Sequence, residues 1–369
     1  MLSNITLNCY ATFAGTCTHL NALATNVDSG STKSINKEPK ENTMAKIYDS
    51  ITELVGDTPL VRLHRYEKSQ GLEANILGKF EYFNPSGSVK DRAALNIIEE
   101  AEKRGDIKPG MTLIDYTSGN TGIGEATFAN AKGYKFVAVI QPQVSVERSQ
   151  ILKALGAELL QVTDVPGFAE MLKTGLSLAG LYKVMNDFAK SKGWYYLNQC
   201  GDPANSQAHI KGTGPEIWEA TGGKVDYVVQ LVGTGGTLSG LTKFFREKNP
   251  NVKIIGAQPA PQSLKNPEFP DRNTIDGVLK FNGVPDDKVP ELFKIFGTKY
   301  DECFDVVAED AYETGRKLVQ QEGFFVGQSA GAALWTATQV AKRPEAKGKN
   351  IVVILADNAF KYLSTNMYK

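Results

Sequence analysis

The chain has little cysteine for its length. Its 369 residues hold four, Cys9, Cys17, Cys200 and Cys303, and no two of them fall at the Cys-x-x-Cys spacing of a redox or zinc site. A disulfide scaffold is therefore excluded, no metal site is expected, and a reducing, cytoplasmic setting is expected. An excess of either charge is also missing, because 41 Lys and Arg balance 41 Asp and Glu. Without a basic footprint, neither nucleic acid nor an anionic membrane surface is an expected partner. No apolar run reaches the roughly 18 residues that a membrane-spanning helix requires. Residues 44–369 contain no internal repeat and no low-complexity linker. They also lack the Gly-x-Gly-x-x-Gly fingerprint and the Walker lysine of nucleotide-binding loops.

What is present is an ordinary globular composition, 41% hydrophobic and 22% charged, on a chain long enough for two lobes around a shared cleft. Residues 1–43 stand apart. They are rich in Ser, Thr and Asn, contain no Arg, and end near Lys37-Glu38-Pro39-Lys40-Glu41. This stretch is expected to be a disordered extension ahead of a second start at Met44. The missing Arg and the lack of a compact apolar segment argue against a targeting peptide. Further on, short β-branched runs alternate with helical patterns. Strands are expected at 76–80, 112–115, 136–140, 158–162, 227–231, 253–257 and 351–355. Helices are expected at 91–103, 147–155, 205–220, 238–247, 310–321 and 330–340. Most of the strand runs are continuously apolar, as in parallel strands covered on both faces. Such alternation predicts an α/β fold.

Four segments carry chemistry. Lys90 follows the turn-forming run Asn84-Pro85-Ser86-Gly87-Ser88 and opens a helix with an apolar stripe at Ala94, Ile97, Ile98 and Ala101. An amine held at a helix start is favoured in its neutral form, as a Schiff-base lysine needs. Gly233-Thr234-Gly235-Gly236-Thr237 lies between an apolar strand and a helix, where backbone N–H groups can cradle a phosphate. Thr117-Ser118-Gly119-Asn120-Thr121-Gly122 occupies a second strand-to-helix junction. Its hydroxyls and N–H groups suit a substrate carboxylate, and Asn120 could reach a ring oxygen. Finally, Gly327-Gln328-Ser329-Ala330-Gly331 places one hydroxyl, that of Ser329, at a helix entrance, where it can pair with a ring nitrogen. An amine, a phosphate cradle, a carboxylate loop and a hydroxyl for a heterocycle together describe a pyridoxal-phosphate site.

Over residues 46–365 the chain resembles the cysteine synthase/cystathionine β-synthase family of fold-type II pyridoxal-phosphate enzymes. The resemblance rests on the segments above together with Ser145-Val146-Glu147-Arg148, Asp202-Pro203-Ala204-Asn205 and Thr213-Gly214-Pro215-Glu216-Ile217-Trp218. It implies two lobes, each a twisted, mostly parallel sheet flanked by helices. A smaller mobile lobe would span about 79–187, and a larger one about 57–78 plus 188–369. It further implies that Lys90 binds the cofactor aldehyde and that Gly233, Thr234, Gly235, Gly236 and Thr237 hold its phosphate. Asn120 and Ser329 would contact its ring, while Thr117, Ser118, Thr121, Gln199 and Gly277 would bind the amino-acid substrate. A homodimer is the family's usual assembly.

The chain departs from the family pattern in three places. Cys200 follows Gln199 where cysteine synthases carry Phe. The segment Ile275-Asp276-Gly277-Val278-Leu279 replaces a Gly-Ile-Gly loop, and Ala356-Asp357-Asn358-Ala359-Phe360-Lys361 replaces Pro-Asp-Ser-Gly-Glu-Arg. Asp276 therefore brings a carboxylate to the reacting end of the site. Water, with a pKa of about 15.7, needs a general base, which is worth roughly 10²–10⁴-fold; hydrosulfide needs none. The expected reaction is elimination of hydrogen sulfide from L-cysteine with addition of water to give L-serine, with Asp276 and Lys90 as catalytic residues. This is similar to the L-cysteine desulfidase (cysteine hydroxylyase) branch. The alternatives are synthesis of cysteine from O-acetylserine and sulfide, condensation of cysteine with a second thiol, and a non-catalytic ligand binder that kept the fold.

Overall fold

In a computed structural model of the chain, residues 46–117, 119–141, 145–174, 177–265 and 268–369 are described. The expected extension at 1–43 and Ser118 of the carboxylate loop lie outside these residues. Among the described residues are ten strands: β1 (Leu60–Arg62), β2 (Asn75–Phe80), β3 (Thr112–Tyr116), β4 (Lys135–Ile140), β5 (Glu158–Gln161), β6 (Tyr195–Tyr196), β7 (Tyr227–Leu231), β8 (Lys253–Pro259), β9 (Glu302–Val306) and β10 (Asn350–Leu355). They form two sheets. One is six-stranded in the order β1-β2-β10-β7-β8-β9; the other is four-stranded in the order β5-β4-β3-β6. Only the β1–β2 pair is antiparallel, and every other pairing is parallel.

The apolar runs explain this layering. In β10, Ile351, Val353 and Leu355 face a core shared with Leu318, Leu334 and Ala337. The alternate residues Val352 and Ile354 face a second core with Leu238, Leu241 and Phe245. A strand buried on both sides has no polar face, so it reads as an unbroken hydrophobic run. The four-stranded sheet repeats the arrangement. Leu113, Phe136 and Ala138 pack against Ile97, Ile98, Ile123 and Phe128 on one face, and Ile114, Val137 and Val139 meet Leu181, Met185 and Ala189 on the other.

All seven expected strands are present. The unexpected ones, β1, β6 and β9, are short or lie at a sheet edge with mixed burial. An exposed edge strand lacks the continuous apolar run that betrays a central one. Because β6 pairs with β3, the four-stranded sheet extends to residue 196, beyond the 79–187 range expected for the smaller lobe. The helix expected over 205–220 is instead three pieces: Ala204–Ala208, a π-turn at His209–Thr213, and Gly214–Ala220. Pro215 lacks the N–H that would continue the regular ladder, and the widened turn absorbs the mismatch. The helices Leu178–Ser191 and Asn120–Ala131 also fall outside the expected helical ranges.

The N-terminal turn of the helix Lys90–Arg104 is anchored by a buried ionic cluster. Arg92 pairs with Glu81 and with Glu216, each at 2.6 Å, and Lys79 pairs with Glu216 at 2.6 Å. Burial alone would raise the Glu216 carboxyl, but the Arg92 and Lys79 partners outweigh it and hold the group at about 2. The stabilisation that this provides is present above the ordinary value of 4.5 and is lost as pH falls toward 2. Replacing Arg92 by Leu strips buried Glu81 of its cation and leaves Glu216 with Lys79 alone, so unfolding in urea is expected to lose about 3–5 kcal/mol. Glu216→Gln should flatten the acid side of the stability profile between pH 4.5 and 2, measured as thermal midpoint against pH.

Candidate active site

The ends of the parallel strands converge on one cleft, as open α/β sheets require of their binding sites. Lys90 follows β2 through the turn at 84–89. Gly87 N–H donates to Asn84 O at 2.8 Å, and Gly87 adopts φ +83° with Asn358 packed where a side chain would stand. Ser88 bridges to Asp357, and Val89 N–H donates to Ala356 O at 2.8 Å, which sews the turn to the end of β10. Asp91 accepts from the N–H of Ser86 at 2.6 Å and from its hydroxyl. Burial pushes the Asp91 carboxyl up to about 6, with the Ser86 donors pulling the other way. Lys361 donates to the carbonyls of Ser86 and Gly87, each at 3.2 Å. The altered segment 356–361 is therefore integrated into the lysine's own turn.

A cavity of about 370 Å³ opens at these strand ends. Lys90, Asn120 and Ser329 line it, together with the whole Gly233–Thr237 turn. Thr121, Gln199, Asp276 and Gly277 line it as well. Burial pushes the Lys90 amine down, and the acidic neighbours Cys200 and Asp357 oppose the shift. The expectation of a neutral amine at a helix start traced that tendency to the helix dipole; enclosure in the cavity is the larger cause. Cys200 also lines the cavity, and burial pushes its thiol up to about 12.

The glycine turn follows β7 and opens the helix Gly236–Lys248. Its glycines are required from the protein side as much as from the cavity. A Cβ on Gly233 would stand 2.5 Å from Gly277 O, one on Gly236 would strike the Asn205 amide, and Gly235 adopts φ +88°. Asn205 Nδ2 donates to Thr234 Oγ1 at 3.0 Å, and Thr237 Oγ1 lies 3.2 Å from His209 Nε2. Both threonine hydroxyls are thus held in place. His209, pushed well below its usual range by burial, is neutral.

The loop after β3 divides its roles. Thr117 does not line the cavity. Its buried hydroxyl accepts the N–H groups of Gly122 at 2.8 Å and Gly119 at 3.3 Å, so it caps its own loop. Thr121 donates to Gln199 Oε1 at 2.6 Å, and Gln199 Nε2 donates to Tyr116 O at 2.9 Å. Asn120 Nδ2 donates to Asp357 at 2.6 Å, while Asn120 Oδ1 is buried without a partner. An orphaned oxygen beside Lys90, a glycine cradle at a helix N-terminus and the Ser329 hydroxyl on another wall fit pyridoxal phosphate. Each offers the polarity that one part of that molecule needs.

Asp276 accepts from Thr274 Oγ1 at 3.1 Å and pairs with Arg148 at 3.3 Å. Its backbone N–H donates to Gln328 Oε1 at 2.9 Å. Arg148, given no role in the sequence reading, is buried with its guanidinium 4.8 Å from the centre of the Tyr362 ring. Tyr362 in turn donates to Asp357 at 2.6 Å. These contacts join segments far apart in the chain, so only the Ser145-Val146-Glu147-Arg148 motif could have pointed to Arg148.

Two substitutions test this geometry. Gly236→Ala should lower pyridoxal-phosphate affinity at least tenfold in equilibrium dialysis, because the new methyl displaces Asn205 and the Thr234 hydroxyl. Lys90→Ala should abolish borohydride-stable cofactor labelling of the 90-containing peptide while the protein remains folded.

Comparison with known proteins shows the family. The family model "Pyridoxal-phosphate dependent enzyme" matches residues 51–357. Cysteine synthase B of Escherichia coli (strain K12) is 39% identical over 320 residues, covering 86% of this chain and 96% of the relative. Among solved structures, O-ureido-L-serine synthase superposes with a TM-score of 0.74 at 33% identity, covering 88% of this chain and 96% of that one. A hydrogen sulfide-producing enzyme from Fusobacterium nucleatum superposes with a TM-score of 0.71 at 33% identity, covering 86% and 100%. The chain therefore belongs to the pyridoxal-phosphate-dependent enzyme family, as a β-replacing member related to the cysteine synthases.

Proposed function

We propose that the protein eliminates hydrogen sulfide from L-cysteine and adds water at the β-carbon to give L-serine. The observation that carries this reading is the placement of the Asp276 carboxylate in the wall of the cavity that also holds Lys90. Pyridoxal phosphate, when bound, supplies the electron sink that makes the α-proton and the β-substituent labile. The chain's own residues do the rest. The Lys90 amine, made less basic by burial, takes the α-proton once it is released from the cofactor. Thr121 and Gln199 hold the substrate carboxylate at the mouth of the β3 loop. Of the residues that line the cavity, Gly233–Thr237 would anchor the cofactor phosphate, Asn120 would meet the ring oxygen, and Ser329 would pair with the ring nitrogen. A hydroxyl there, in place of a carboxylate, would leave the nitrogen uncharged and so favour β-chemistry over the full range of α-carbon reactions.

Asp276 removes a proton from the water that attacks the β-carbon. Arg148, Thr274 and Gln328 fix this residue from three sides, so its carboxylate has little freedom to swing out of the cavity. A general base must be held within reach of its proton. The hydrogen sulfide-producing structural relative supports the same direction of chemistry.

A second reading draws on the relatives named cysteine synthase: O-acetylserine and sulfide combine to form L-cysteine. The two part on the nucleophile. With cysteine as sole substrate, the wild type is expected to form serine and sulfide in equal amounts. Asp276→Asn should lower serine formation by roughly 10²-fold or more while leaving sulfide-dependent cysteine formation within a few-fold. Unchanged serine output in the variant sinks the water-activating role. A wild type that turns over only O-acetylserine with sulfide selects the synthase reading.

A further inference from the structure

Beneath the amino-acid end of the cavity lie two carboxyl groups with no counter-cation. Asp115, on β3, and Glu125, in the helix Asn120–Ala131, are both 0% exposed. The Asp115 oxygens accept the N–H of Tyr116 at 2.6 Å and the N–H of Gln199 at 3.0 Å. Neither Glu125 oxygen meets an N–H or O–H donor, and the neighbouring Asp115 carboxyl is the ionisable group that acts on it most strongly. Two carboxyls in such contact, away from water, share a proton because like charges at that distance cannot both persist. Two N–H donors favour the anion on Asp115, although burial still pushes that carboxyl up to about 6, so Glu125 is the better proton holder of the two.

We propose that Glu125 is held as a neutral carboxylic acid and, by donating a hydrogen bond to Asp115, positions Gln199 at the substrate-carboxylate end of the cavity. This rests on the assignment of Thr121 and Gln199 to that end. The architecture is a closed loop of contacts. Thr121 and Glu125 lie four residues apart on one helix, so they share a face. Thr121 donates to the Gln199 side chain, whereas Glu125 reaches the Gln199 backbone through Asp115. One helix therefore grips Gln199 at two points, and the second grip depends on a proton.

The remaining ionisable groups around Glu125 are acids. Tyr196 on β6 and Cys200 in the following loop both act on it, and neither supplies positive charge. Lys90 acts on Cys200 rather than on Glu125. Burial first, and the Asp115 charge second, push the Glu125 carboxyl well above its ordinary range. A raised carboxyl binds its proton in the folded chain at pH values where the unfolded chain has released it. Stability from this group is therefore full below 4.5 and falls as pH rises.

Infrared difference spectra of wild-type holoenzyme against Glu125→Gln at neutral pH should show a protonated-carboxyl band that the variant lacks. Glu125→Gln keeps a donor to Asp115, so it should keep wild-type KM. The wild type is expected to show a rise in KM at alkaline pH, where Glu125 loses its proton; Glu125→Gln should remove that rise and gain thermal stability relative to wild type as pH increases. Glu125→Leu, which offers no donor, should raise KM for the amino acid roughly tenfold, the effect of losing one charge-assisted hydrogen bond. Cofactor absorbance should be retained. Absence of the infrared band, or an alkaline rise in KM that persists in Glu125→Gln, overturns the proposal. If Thr121→Val leaves KM unchanged while Glu125→Leu raises it, the carboxylate-end assignment fails and the protonated pair stands.

Discussion

Two carboxylates and two cations buried together under one helix turn set the position of the reactive amine. Lys79 and Glu81 come from β2 and the turn after it, Arg92 from the helix that begins at Lys90, and Glu216 from a helix more than a hundred residues away. Each ion costs several kcal/mol to bury and is tolerated only while its partners stay in place. The cluster therefore resists small shifts of the helix start, and Lys90, two residues before Arg92, inherits that rigidity. Thr58 completes the cluster by hydrogen-bonding both Glu81 and Arg92.

On that fixed point the cavity is assembled from both sheets. Asp357, at the end of β10, accepts from Asn120 of the β3 loop and from Tyr362. Tyr362 lies against Arg148, which reaches Asp276. One chain of polar contacts thus connects the wall expected to meet the cofactor ring with the wall carrying the proposed base. Gln328 extends it by holding the backbone of Asp276 beside Ser329. Such networks specify geometry well because every member left unpaired in a dry site carries a desolvation penalty.

The fold was legible wherever a strand is covered on both faces. The runs at 227–231 and 351–355 are unbroken apolar stretches, and both are central strands. Edge strands β1 and β9 were not legible, because half of each faces outward and its pattern merges with that of loops. The helix expected at 205–220 is interrupted by a π-turn where Pro215 lacks an N–H, and His209 of that turn packs against Gly240, which leaves no room for a side chain. In the site, Lys90, Asn120 and the Gly233–Thr237 turn, singled out in the sequence by residue type at strand ends, come together in the lining of one cavity. Thr117 was assigned by position in its motif to a ligand-facing role; its hydroxyl oxygen accepts from its own loop and it does not line the cavity.

By itself the sequence determined the α/β class, the pyridoxal-phosphate chemistry and the small set of loops that carry it. These follow from local patterns: two-sided burial of strands, glycine at phosphate-binding turns and one lysine at a helix start. Tertiary structure alone decided which charges are paired. The partnerships of Arg92 with Glu216, Arg148 with Asp276, Asn120 with Asp357 and Glu125 with Asp115 join residues between 10 and 237 positions apart, the extremes being Asp115 to Glu125 and Asn120 to Asp357. Hydrogen bonding and desolvation act over ångströms in space, and separation along the chain does not encode that distance.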